Sequence, residues 1–100
     1  MRSFSDLGEA VGFLAAAVEA GDVAALAGAC REPLPPGWVL DRLRERHEAT
    51  PLARLYAGRE FPEAAAEFKL GGHAQELGHI HIDFVRSGGG WEIERIWMCR

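Results

Sequence analysis

Two runs of alternating apolar and polar residues flank Ser87-Gly88-Gly89-Gly90, and such a sequence has to fold as a half-buried β-hairpin. The first run, expected as a strand over 74–86, ends in GHIHIDFVR and puts Ile80, Ile82 and Phe84 on one face. The second, WEIERIWMC over 91–99, is the return strand. A turn that pairs Arg86 with Trp91 then sets Phe84 opposite Ile93 and Ile80 opposite Trp97. On the other face the same register places Asp83 by Glu94, His81 by Ile96 and His79 by Met98. Slipping the pairing by one residue would oppose Phe84 to Glu92, which a sheet with one buried face resists. No helix is expected between 76 and 98.

The apolar side of such a hairpin needs a cover, and the first half of the chain supplies helices for it. Leu7, Ala10, Val11, Leu14, Ala17 and Val18 repeat at helical spacing, with Asp6 and Glu9 as a capping pair and Gly21 at the end. Asp22 opens a second helix with Val23, Leu26, Ala27 and Cys30 inward. Pro33, Pro35, Pro36 and Gly37 stop it, and residues 38–48 read as a third helix. Residues 51–57 read equally as a helical turn or an edge strand, residues 64–70 as a strand, and Gly71-Gly72 as a turn. The expected fold class is α+β, with two to three N-terminal helices packed on a curved antiparallel sheet. Leu14, Val18 and Leu26 should pack on Ile80, Ile82 and Phe84.

One hundred residues make a single domain over 1–100, and 48% apolar with 26% charged residues is the balance of a chain with one core. The net charge of −4 opposes phosphate backbones and anionic lipid heads, which argues against nucleic-acid and membrane binding. Arg42, Arg44 and Arg46, with Arg54 and Arg59 beyond them, form an Arg-rich run that Asp41, Glu45 and Glu48 interleave, as on a solvated helix face with local ion pairs. No apolar run approaches a membrane span, and Val11–Val18 follows acidic rather than basic residues, so a cytoplasmic location is expected. Cys30 and Cys99 lack metal or CxxC spacing and read as free thiols, Cys30 buried against the sheet.

FLAAAVEAGDVAALAGAC (13–30) and GGGWEIERIWMC (88–99) resemble the two ends of the nuclear transport factor two-like, or cystatin-like, superfamily. The resemblance implies helices cradling a curved antiparallel sheet, a cone that often holds a small apolar ligand. Its members include ketosteroid isomerases, polyketide cyclases and dehydratases, and non-catalytic binding or dimerising modules. The middle of this chain matches no pattern of the family, so no functional residue is carried over.

Three groups of residues could carry chemistry. His79, His81 and Asp83 alternate on one strand, and two imidazoles with a carboxylate can ligate zinc, His73 being a candidate fourth ligand. The string resembles the opening of the metallo-β-lactamase signature, but Phe84 stands where that signature needs His, and polar alternation on an outer sheet face explains it equally; no metal or other cofactor is assigned. In the uninterrupted register Arg95 falls among Ile80, Ile82, Ile93 and Trp97, where an unpaired guanidinium is costly. It therefore reads as a group that binds an anion or carbonyl in a pocket with Trp97 and Tyr56, or as an Arg whose stem packs on tryptophan. Trp38, Trp91 and Trp97 read as core aromatics.

The expected function is a non-catalytic small-ligand-binding or dimerisation module, its ligand small and apolar. The alternative is a small isomerase, cyclase or dehydratase acting on an apolar carbonyl compound, which requires an inward carboxylate facing a cavity. No catalytic residue is singled out. Ile96 and Met98, together with the outer polar residues, suggest a homodimer through the outer sheet face.

Overall fold

The computed structural model describes residues 2–52, 54, 60–71 and 77–99. Among the described residues three helices, α1 (Leu7–Ala20), α2 (Val23–Ala29) and α3 (Gly37–Ala49), precede three strands, β1 (Glu67–Gly71), β2 (Ile80–Ser87) and β3 (Gly90–Met98). The fold is α+β, with the helices packed on one face of an antiparallel sheet of order β1-β2-β3.

Each helix boundary has a chemical cause. The Asp6 carboxylate accepts the Glu9 amide at 2.7 Å, and Glu9 in turn takes the Ser5 amide at 2.9 Å, closing the N-terminus of α1. Gly21, at φ 64°, ends α1 in the left-handed conformation, and Asp22 accepts the Ala25 amide at 3.0 Å to start α2. All six residues of the α1 stripe are buried. A tie absent from the sequence pattern fixes α1 to the sheet: the Glu63 carboxylate accepts from the Leu7 amide and from the Trp91 indole, both at 2.9 Å.

The hairpin follows the expected register near its turn, with Arg86 opposite Trp91 and Phe84 opposite Ile93. Beyond Phe84 it does not. Asp83 pairs with Arg95, Ile82 with Ile96, His81 with Trp97 and Ile80 with Met98, leaving Glu94 as an extra residue in a β-bulge. The expected Ile80–Trp97 pair is therefore replaced. Backbone hydrogen bonds report the same shift. Trp91 turns its N–H and C=O away from β2, to Phe4 at 2.7 Å each, whereas Cys99 donates toward β2, to the His79 carbonyl at 3.0 Å. An unbroken strand would face residues 91 and 99 the same way. The bulge keeps Trp91, Ile93 and Ile96 in the core while Arg95 leaves it.

Strand β2 begins at Ile80 rather than at 74, the 74–76 stretch lying outside the described residues. Leu77 is helical, contrary to the expectation of no helix between 76 and 98, and Gly78 (φ 58°) and His79 (φ 70°) are left-handed, so the extended run cannot start earlier. Strand β1 starts at Glu67 because Pro62 initiates a turn in which the Ala65 amide meets the Pro62 carbonyl at 2.9 Å. Gly71 (φ 81°) ends β1, and a Cβ there would collide with the Ile80 carbonyl and Leu77. Of the 51–57 segment, Leu52 and Arg54 lie in a 3₁₀ turn after Pro51, and residues 53 and 55–57 lie outside the described residues.

Between helices and sheet the interior is filled. Phe4, Leu14, Leu43, Phe84, Trp91 and Ile93 are essentially inaccessible, and Val18, Leu26, Ile80 and Ile82 join them in one core. The far edge of β3 is partly covered by backbone pairing that leaves no periodic trace in the sequence. Phe4 bridges Trp91, and Cys30 runs parallel beside Ile93, with the Arg31 and Glu32 amides donating to the Ile93 and Glu94 carbonyls at 3.0 and 2.9 Å. No helix among the described residues is long and apolar enough to cross a membrane.

Deleting Glu94 removes the extra residue and restores strict alternation, with Arg95 still opposite Asp83 and Ile96 opposite Ile82. The deletion variant should fold, losing about 1 kcal/mol, the scale of one exchanged hydrogen bond, in denaturant unfolding. An unfolded variant would show that β3 is not bulged at this point.

Candidate binding site

The bulge assembles a polar cluster on the sheet face opposite the helices. Arg95 Nε donates to Asp83 Oδ2 at 2.8 Å and the Trp97 indole donates to the same oxygen at 3.0 Å. The Arg95 guanidinium lies over the Trp97 ring, 4.6 Å from its centroid, and the His81 imidazole stacks on that ring at 4.1 Å and 13°. Asp83 is buried, and Asp83 Oδ1 and His81 Nε2 are both inaccessible without a hydrogen-bond partner among the described residues. The hydrogen bond to Asp83, followed by the nearby charges of Asp83, Glu32 and Glu94, holds the Arg95 pKa above the usual arginine range against a smaller desolvation effect. Asp83 engages Nε, and among the described residues no hydrogen bond or ion pair reaches the terminal nitrogens of Arg95.

Beside this cluster a cleft of about 560 Å³ runs between the end of β3 and the segment from Glu32 to Val39. Arg95 and Trp97 line it, as the sequence suggests for a ligand pocket, with Trp38, Met98 and the prolines 33, 35 and 36 as its apolar walls. Tyr56, the third residue of that set, lies outside the described residues. The cleft is at the sheet edge and not between the helices and the sheet, where the core side chains pack.

Several expectations change here. Trp91 is a core aromatic, but Trp38 is 58% exposed at the start of α3 and Trp97 is half-buried on the outer face. A solvent-facing tryptophan on a cleft wall is the residue that periodicity misses, because it sits one position before the apolar stripe of α3, Val39 and Leu43. Ile96 and Met98, expected on the outer face, belong to the core side of β3. The histidine string does not form a ligand set. His81 stacks on Trp97, Asp83 binds Arg95, and left-handed His79 turns to Cys99, with Nδ1 to Sγ at 3.9 Å. Among the described residues no three His, Cys, Asp or Glu side chains are placed to hold a metal ion; His73 lies outside them. The arginines of α3 make local contacts, Arg44 with Glu48 at 3.9 Å and Arg42 over Trp38 at 5.8 Å.

Cys99 lines the cleft and Cys30 is buried beside β3, where desolvation pushes its pKa up to about 11. Because the folded value is raised, the neutral thiol stabilises the fold fully below its unfolded value near 9.0 and loses that contribution between about 9 and 11. Cys30→Ala should therefore flatten the fall in stability over this interval, measured by denaturant unfolding against pH. An unchanged slope would show that Cys30 is accessible in the folded state.

Matched against protein-family models, curated proteins and solved structures, the chain gives no significant match in any of the three.

Proposed function

We propose that this protein is a non-catalytic small-ligand-binding module of the nuclear transport factor two-like type, taking a neutral, apolar carbonyl compound in the cleft at the end of β3. The observation that carries this reading is Arg95, fixed by Asp83 over Trp97 at the cleft wall with its terminal nitrogens unengaged among the described residues. A guanidinium in that state donates to an oxygen, and the tryptophans and prolines around it suit an apolar body.

Local charge selects between the two ligand types an arginine can take. Asp83 already counters Arg95, and Glu32 and Glu94 add two carboxylates nearby. A further full negative charge would meet net repulsion, whereas a ketone or amide oxygen accepts the same hydrogen bonds without it. The helix–Gly-Asp–helix elbow and the Trp-bearing hairpin support the family part of the proposal. The non-catalytic part is supported by Asp83, the buried carboxylate nearest Arg95, whose Oδ2 already receives two donors. Association of two copies is proposed through the outer face, with half-buried Val85, His81 and Trp97 in place of Ile96 and Met98.

Titration with 2-acetylnaphthalene should quench tryptophan emission from Trp38 and Trp97, and the carboxylate 2-naphthoate should bind about tenfold more weakly. Arg95→Ala should weaken the ketone about tenfold and leave naphthoate no tighter than before. Preference for naphthoate, or binding indifferent to Arg95, would contradict the proposal.

A further inference from the structure

The floor of the cleft is an unpaired strand edge. Counting back from Cys99, whose amide bonds to β2, alternation turns the backbone N–H and C=O of Met98 and Ile96 away from β2. Before the bulge, this edge is occupied by Phe4 and by residues 30–32. The occupation stops at Pro33. Proline has no N–H to donate, and with Pro35 and Pro36 the segment stands off from β3, leaving the cleft between them. Among the described residues no backbone group outside the sheet bonds to Ile96 or Met98.

We propose that the cleft binds an extended peptide segment, apolar in its centre and basic at its flank, which adds to β3 as a further strand along Arg95–Cys99. This deepens the ligand reading above, on which it rests, since the peptide amide is itself a neutral carbonyl group. Main-chain bonds to Ile96 and Met98 supply binding, and Trp38 and Trp97 supply side-chain pockets. Edge residues 95–99 span about 13 Å at roughly 3.3 Å per residue, room for about four residues of an incoming strand. Trp38, 58% exposed, is the kind of aromatic that becomes an anchor on association. Charge complementarity chooses the occupant. Glu32 lines the cleft and Glu94 adjoins Arg95, which is already paired with Asp83, so Lys or Arg beside the apolar residues is favoured. A second copy pairing edge to edge at this cleft would bring Glu32 and Glu94 of both chains together.

The test uses an acetylated, amidated heptapeptide of alternating valine and threonine between terminal lysines, added to the whole protein and followed by amide NMR and hydrogen exchange. The Ile96 and Met98 amides should exchange freely without peptide and be protected at least tenfold with it. Peptides with alternate N-methylated amides, or with glutamates replacing the lysines, should bind at least tenfold more weakly, as should the exposed-site variant Trp38→Ala. Equal binding of the N-methylated peptide, or protection of Ile96 and Met98 before peptide is added, would overturn the proposal, the latter pointing to an edge shared between two copies. Binding of 2-acetylnaphthalene without binding of the peptide would overturn the strand-addition inference alone. Binding of neither would overturn both it and the ligand reading.

Discussion

Arg95 cannot lie as a charged group against Ile80 and Ile82, and the strand that carries it cannot withdraw Trp91, Ile93 and Ile96 from the core. One extra residue, Glu94, reconciles these two demands. Up to Ile93 the strand presents odd-numbered residues to the helices; beyond the bulge it presents even-numbered ones. The guanidinium is thereby exchanged for Ile96 on the apolar side and arrives opposite Asp83, which accepts from it at 2.8 Å. The alternative, an uninterrupted ladder, would retain one more regular pair and bury an unpaired cation, which is far more expensive.

The binding geometry descends from the same exchange. Trp97 moves to the outer face with Arg95, where Asp83 fixes its indole and His81 covers one side of its ring. Met98 and Ile96 move inward, and their backbone groups turn to the edge that Pro33 leaves uncovered. The cleft therefore combines an oriented donor, two tryptophan walls and an open strand edge without placing any of them in the packed interior. The cleft and the packed core are separated in space, so a side chain such as Trp38 can be altered with little demand on the core.

Much of the fold is legible in the chain. The α1 stripe and its caps, the Gly21-Asp22 elbow and the apolar trio Ile80, Ile82, Phe84 all rest on local periodicity and local hydrogen bonds. The register near the turn is legible too, because Phe84 has one apolar partner within reach. The bulge left a readable sign, two adjacent charged residues at Glu94 and Arg95 that break the alternation running from Trp91 to Ile93. Following alternation straight through them is what misplaced Arg95, Trp97 and Met98. Other features have no periodic signature at all. Phe4 and Cys30–Glu32 pair through single backbone positions, Glu63 bridges Leu7 and Trp91 across long sequence separations, and His79 adopts a left-handed conformation that its neighbours do not announce. Of the site, Arg95 is marked by its misfit with the core, and Trp97 only by sharing a strand face with it. Trp38 was obscured by the same rule, since a tryptophan is expected to be buried.

The face reversal in β3 underlies every later step, and a nuclear Overhauser spectrum of the free protein tests it directly. A bulged β3 gives contacts between the His81 ring and the Trp97 indole, and between the Asp83 and Arg95 side chains, with Ile80 close to Met98. Contacts of Ile80 with Trp97, and of His81 with Ile96, would show an unbulged ladder and contradict it.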